Sequence, residues 1–254
     1  MKRVVFVAWQ SPKDRRWFPV GRLTFDGSSY RFVYTKGTRK ASEFIPFSRM
    51  QDLECVYEST ELFPVFANRL LGKDRPEYRD FLQWLAVPES EGDPLALLER
   101  TGGPRETDSL TIFPRPERTA LGTYESKFFV QGIRYLPSHA IDVVNKLSPG
   151  MRLYLMPDPQ NRYDHLAIGL RTEDPKTLVG YCPRYFAEDF LALLEHNGAA
   201  DVLVSVHQVN RAAPIQLRLL CQIVAPWPEN FQPCAGELYE PLARTPREIA
   251  AGQT

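Results

Sequence analysis

The sequence predicts an α+β fold in which β-structure dominates, divided between two domains. Three observations carry that expectation. Short runs rich in β-branched and aromatic residues recur through both halves of the chain, while apolar stripes at helical spacing are few and brief. The 254 residues suit two ordinary domains, since compact domains mostly hold about 100–150 residues. An apolar fraction of 43% and an aromatic fraction of 12% are ample for packed cores, and the 22 prolines are too dispersed to mark one disordered tract.

Residues 4–10 and 17–25 read as strands, and Asp26-Gly27 supplies a turn into a third, 30–34. The chain therefore opens on an antiparallel sheet. Ser59 or Thr60 is placed to cap a helix in which Leu62, Phe66, Leu70 and Leu71 share a face, and Gly72 stops it. A second helix starts near Asp74 and Pro76, with Tyr78, Phe81, Leu82 and Leu85 at helical spacing. A third runs from Asp93-Pro94 to Gly102-Gly103. Residues 114–125 have two prolines, mixed charge and no periodicity, and form the expected linker.

The second half resumes with a strand over 128–135 and a helix over 138–147, closed by Pro149-Gly150. Strands at 151–156 and 166–171 flank a loop of turn residues, 157–164, and another strand spans 178–182. Pro183 suits the first position of a helix over 184–196, whose Phe186, Phe190, Leu193 and Leu194 make an apolar stripe up to Asn197-Gly198. Residues 201–210 and 214–225 alternate well enough to be paired strands. Beyond Pro226 the patterning weakens to an extended tail. The expected division is thus 1–113, a linker at 114–125, 126–225, and a tail at 226–254.

Composition limits the chemistry. Lys/Arg and Asp/Glu balance at 31 each, and residues 127–225 hold ten against nine, so long tracking of duplex phosphates is not expected. Any nucleic-acid contact must be a local site. Cys55, Cys182, Cys221 and Cys234 form no CxxC pair and read as buried thiols; His139, His165, His196 and His207 show no metal-ligand spacing. No metal and no cofactor is expected. There is no apolar run of about 18 residues, and Met1-Lys2-Arg3 leads into a strand rather than a signal-peptide core, so the expectation is a soluble cytoplasmic protein without membrane contact.

Three pieces stand in order over about a hundred residues: Phe129-Val130-Gln131-Gly132-Ile133-Arg134-Tyr135, then Gly150 to Leu155 leading to Asn161-Arg162-Tyr163-Asp164 and Ala167-Ile168, then Val179-Gly180-Tyr181-Cys182-Pro183-Arg184. In that order and spacing the segment resembles the HIRAN family. The resemblance implies an OB-like antiparallel β-barrel with two helices that takes up a free 3′-hydroxyl end of single-stranded DNA. On that pattern Tyr135 and Tyr163 would offer stacking faces, Asp164 would accept the terminal hydroxyl, Arg134 would hold phosphates, Asn161 would meet a base edge or backbone group, and Tyr181 would stand beside the pocket. Read without the other motifs, Asn161 to Asp164 is equally a turn whose Asn and Asp cap backbone donors, Tyr135 a barrel-core aromatic and Arg134 a solvated residue. This chain has His165-Leu166 where the family often has Asn two positions after the Asp.

The first half is similar, more loosely, to the N-terminal subdomain of HipA-type toxin kinases, through Val20-Gly21-Arg22-Leu23, Arg31-Phe32-Val33-Tyr34 and residues 59–71 followed by Arg75-Pro76. It has no Gly-rich phosphate loop followed by Lys and Ser or Thr, and Thr101-Gly102-Gly103-Pro104 reads as a helix stop. Three functions follow: a module that binds single-stranded DNA or DNA 3′ ends joined to a protein-interaction domain, with a kinase, helicase or nuclease as partner; a non-catalytic, antitoxin-like regulatory partner of a kinase; and a metal-dependent hydrolase using Asp158 with Asp164, or Glu188 with Asp189. The last ranks lowest, because Glu188 and Asp189 fall on the expected polar face of a helix. No catalytic residue is expected.

Overall fold

A computed structural model of the chain describes residues 3–88, 93–105 and 108–243. These form two compact units, each drawn from separate stretches of chain. Among the described residues the first unit takes in the chain as far as Tyr78, again from Asp93 to Arg115, and again from Cys234; the second takes in Arg79 to Pro88 and Pro116 to Pro233. None of the described helices is long and apolar enough to cross a membrane.

The first unit is a five-stranded antiparallel sheet. Its first three strands, β1 (Arg3–Gln10), β2 (Trp17–Phe25) and β3 (Tyr30–Tyr34), lie almost where residue pattern puts them. Two more were not expected: β4 (Val56–Ser59) and β5 (Leu110–Pro114) complete the order β4-β3-β2-β1-β5. The helix expected after Ser59 is corrected to a single turn, α1 (Pro64–Ala67), and Ser59 ends β4 instead of capping it. The reason is Pro64, which lacks an N–H and forces Phe63 extended, so a helix cannot form ahead of it. The expected apolar face survives, with Phe66 in the core and Leu62 and Leu70 packed against it. Two more helices follow in the chain: α2 (Tyr78–Trp84), which after Tyr78 belongs to the second unit, and α3 (Pro94–Thr101) of the first, capped by Asp93, whose carboxylate accepts the Leu95 and Ala96 N–H groups at 2.8 and 3.1 Å.

Aromatic rings fill this core. Phe32 lies 4.9 Å from Tyr34 and 5.5 Å from Phe66, centroid to centroid, and Phe47 packs on all three. The buried Tyr34 hydroxyl donates to the Met50 carbonyl at 2.7 Å and accepts the Phe47 N–H at 2.8 Å, and burial pushes its pKa up to about 12. The chain beyond residue 226, expected as an unpatterned tail, has a defined course as far as it is described. Trp227 and Phe231 pack on the core of the second unit. Further on, Lys36 donates its N–H to the Glu240 carbonyl at 2.8 Å, Leu242 donates to the Tyr34 carbonyl at 2.9 Å, and the Leu242 side chain joins the first unit's core.

The second unit is a curled, fully antiparallel six-stranded sheet with few helices. Its strands are β6 (Thr123–Phe129), β7 (Arg152–Pro157), β8 (Ile168–Arg171), β9 (Leu178–Tyr181), β10 (Leu203–Val209) and β11 (Leu219–Pro226), in the order β6-β11-β10-β7-β8-β9. Helices α4 (Ser138–Lys146) and α5 (Ala187–Asn197) bury Val144, and Phe190 and Leu193, in the core with Leu153, Val204 and Ile223. Residues 114–125, expected as a linker, are narrower than that: Pro114 closes β5, and Thr123 to Glu125 already belong to β6. The strand expected over 128–135 is also corrected. It stops at Phe129, and Ile133–Tyr135 is a turn of 3-10 helix. Inside this unit Gln208 and Asn210 donate to the Gln83 and Trp84 carbonyls at 3.0 and 2.9 Å, satisfying two orphan groups at the end of α2.

Candidate nucleic-acid interface

One pair of residues ties the two edges of the curled sheet. Gln131, just past β6, and Tyr181, the last residue of β9, exchange backbone hydrogen bonds of 2.8 and 2.9 Å. Two glycines permit this seam. Gly180 has φ +134°, and a Cβ there would stand 2.4 Å from Val130 Cγ1 and 2.6 Å from the Gln131 carbonyl oxygen. Gly132, at φ +76°, then swings the chain out of the sheet into the Ile133–Tyr135 turn. This left-handed residue is why the strand does not continue to Tyr135.

The turn puts Arg134 and Tyr135 in solvent, with Tyr135 81% exposed and the Arg134 guanidinium carbon 5.6 Å from the centre of its ring. On the other side of the seam runs the loop between β7 and β8. Asp158 organises it: the carboxylate accepts the Tyr181 hydroxyl at 3.2 Å and Asn161 Nδ2 at 3.1 Å, and its carbonyl accepts the Asn161 N–H at 3.1 Å. Burial first, then the negative charge of Asp158, raise the Tyr181 phenol above its ordinary value, so it stays a donor. Asn161 Oδ1 in turn accepts the Tyr163 N–H at 3.1 Å, and the Tyr163 ring is left 84% exposed.

Asp164 ends the loop in two engagements. One carboxylate oxygen accepts the Leu166 N–H at 3.0 Å, and the other lies 2.8 Å from Arg184 Nε, in an ion pair where both partners are largely sheltered. The structure thus brings Asn161 and Tyr181 together through Asp158 and joins Tyr181 to the segment bearing Arg134 and Tyr135 through the seam. It holds Asp164 against Arg184. Two participants were not read as such from sequence. Asp158 stands three residues before Asn161 in a turn-rich run, the spacing at which a carboxylate caps a turn, and Arg184 carries the opposite charge at the end of the third motif.

Of the acids considered for metal chemistry, Asp158, Asp164 and Asp189 are each engaged by another side chain. Among the described residues no group of three or more His, Cys, Asp or Glu is placed to hold a metal ion. The polar-face reading of α5 holds for Glu188, which is exposed, and fails for Asp189. Asp189 is half-buried and accepts the Tyr124 hydroxyl at 3.3 Å; burial, reinforced by Glu188, raises its pKa to about 7. Of the four thiols, Cys182 and Cys221 are buried in the second unit, whereas Cys55 is exposed and Cys234 half-buried.

Residues 123–227 match the model of the HIRAN domain. No curated protein matches the chain. Two solved structures resemble part of it. One, a protein from Lactobacillus plantarum, is 20% identical over 41% of this chain and 96% of its own, with a TM-score of 0.30. The other, the HIRAN domain of human HLTF, is 19% identical over 42% of this chain and 80% of its own, also with a TM-score of 0.30.

Proposed function

We propose, from the HIRAN match over residues 123–227, that this part of the chain binds nucleic acid and that its seam takes up the free 3′-hydroxyl end of single-stranded DNA. The observation that carries the reading is the pair of rings beside the seam, Tyr135 and Tyr163, at 81% and 84% exposure. Lone exposed aromatics are ordinary surface features. Two of them on segments joined through Tyr181 and Asp158, one next to Arg134 and one next to Asp164, are what stacking a splayed base and meeting its sugar and phosphate require. The Asp164 carboxylate keeps one lone pair per oxygen for a hydroxyl donor, and Arg184 beside it offers a cation to the neighbouring phosphate.

Binding of this kind is local and suits a segment with only one positive charge in excess. On this reading the first unit serves protein interaction with a kinase, helicase or nuclease, and its likeness to the HipA N-terminal subdomain belongs to the same proposal; the family match does not extend into it. Hydrolysis is disfavoured by the donor set, because the Asp158 carboxylate is turned to the Tyr181 hydroxyl and Asn161 Nδ2, and Arg184 beside Asp164 offsets the negative charge that a metal ion would need. Purified protein is expected to cleave no single-stranded DNA with added magnesium or manganese.

The test is a fluorescence-anisotropy titration of one short oligonucleotide with a 3′-hydroxyl or a 3′-phosphate. The hydroxyl end should bind about 10-fold tighter, roughly 1.4 kcal/mol, since the phosphate removes the donor and faces a carboxylate. Equal affinities would remove the end preference and leave general strand binding. No binding to any single strand would remove both.

A further inference from the structure

A second aromatic and cationic cluster lies on the outer face of the curled sheet, away from the seam. Leu153 and its cross-strand neighbour Val204 point into the core, so Arg152 and Tyr154, one residue to either side on β7, point outward. Strand register then places Arg171 of β8 directly opposite Tyr154. The guanidinium carbons of Arg152 and Arg171 lie 5.0 and 4.9 Å from the centre of the Tyr154 ring. Each arginine also has a backbone anchor: Arg171 donates to the Thr172 carbonyl at 2.9 Å, and Arg152 reaches the Ala199 and Ala200 carbonyls at 3.4 Å. Neither is neutralised by a carboxylate within ion-pair distance among the described residues, and the acid nearest the ring in effect, Glu173, raises the Tyr154 phenol above its ordinary value. The same outward row continues across the sheet through Ser205, Gln222 and Lys127.

We propose that Arg152, Tyr154 and Arg171 form a second, sequence-independent contact for single-stranded DNA, engaging the strand inward from the end held at the seam; this rests on the proposed end binding. Charge complementarity selects the occupant. Two guanidiniums anchored to backbone carbonyls keep their remaining donors for phosphate oxygens, and planar guanidinium and phenol groups both stack on bases. Continuity supplies the path: β7 runs from Tyr154 straight into Asp158, about 13 Å for four residues of extended chain, so one strand spans both sites. The near-neutral segment is therefore polarised, with Arg152 and Arg171 on this face and Glu188, Asp189 and Glu195 on α5.

The experiment titrates the full chain with a trinucleotide and a twelve-nucleotide strand, each with a 3′-hydroxyl or 3′-phosphate, at several salt concentrations. The longer strand should bind the wild type at least ~10-fold tighter, and Arg152→Gln with Arg171→Gln, or Tyr154→Ala, should erase that gain while leaving the trinucleotide within ~2-fold. The double variant should flatten the salt dependence by about 1.4 in slope, two phosphate contacts at ~0.7 each. Tyr154→Phe, which keeps the ring, should bind as the wild type does, and unchanged thermal melting shows that the losses are not unfolding. A length gain that survives these variants, or no length gain at all, overturns the proposal and leaves the end site standing. Indifference to the 3′ group, with the variants still weakening the long strand, overturns end recognition and supports this contact. Failure of the wild type to bind any strand overturns both.

Discussion

In the first unit the rings of Phe32, Tyr34, Phe47 and Phe66 pack on one another beneath the sheet, and the one hydroxyl among them is met by the backbone on both sides. In the second unit Tyr135 and Tyr163 stand out into solvent on backbone that is pinned: Tyr135 follows a left-handed glycine, and Tyr163 hangs from an asparagine hydrogen bond. The same side-chain chemistry is used once for cohesion and once for display. Buried rings tell how a unit is held together. Exposed rings on fixed backbone tell where it can meet a flat ligand.

That contrast sets the order of expected effects. Phe66→Ala removes a fully buried ring and should cost about 3–5 kcal/mol in denaturant unfolding, with end binding unaffected wherever the protein remains folded. A parallel loss of oligonucleotide affinity would show that the aromatic core also shapes the interface. Gly180→Ala attacks the seam. With Val130 Cγ1 and the Gln131 carbonyl so close to the new Cβ, about 3 kcal/mol of stability should be lost, and binding should weaken too because the Gln131–Tyr181 pair must part. Full binding by a folded Gly180→Ala protein would separate the seam from the site.

Asp189 sharpens the comparison from another side, since it places a carboxyl group in the second unit's interior. Its folded pKa of about 7 lies above the ordinary aspartate value, so the folded state holds the proton more tightly between roughly pH 4 and 7. Stability should therefore be highest at the acidic end of that window and fall as pH rises, by at most about 2 kcal/mol between pH 5 and 7. Thermal melts across the window check the sign, and Asp189→Asn should flatten the profile. Smallest of all, Tyr163→Ala should cost about 1 kcal/mol of affinity for any strand end, the low side of a stacking contribution, while shifting unfolding by under about 0.5 kcal/mol. A larger stability loss than affinity loss would make Tyr163 a structural residue.

Much of the fold was legible because pattern and structure share a cause. The strands at 17–25 and 30–34 are rich in β-branched and aromatic residues and are joined through turn chemistry at Asp26-Gly27, and α3 carries both Asp93 and Gly102 at its ends. What sequence missed depends on single residues overruling a stripe. Leu62, Phe66 and Leu70 repeat as a helix does, yet Pro64 confines the helix to one turn; residues 128–135 are apolar enough for a strand, yet Gly132 turns the chain out after Gln131. β4 and β5 do not announce themselves, because each is paired by a neighbour distant in sequence and not by a strand across an adjoining tight turn. At the candidate site the motif residues were readable and their connections were not. That Asp158 takes the Tyr181 hydroxyl, and Arg184 the Asp164 carboxylate, follows from the folding of β7, β8 and β9 onto one another, which joins residues about twenty apart.

The interleaving of the two units has a consequence for the order in which the chain matures. Tyr34, Lys36 and the core around Tyr34 belong to the part translated first, yet their partners Glu240 and Leu242 emerge only after all six strands of the curled sheet have been made. The stretch from Arg79 to Pro88, by contrast, is waiting when Gln208 and Asn210 arrive to bind its carbonyls. The first unit is thus begun first and finished last, its closing segment delivered by way of its neighbour. A chain truncated after Pro233 should hold a second unit able to resist protease and a first unit still open to it.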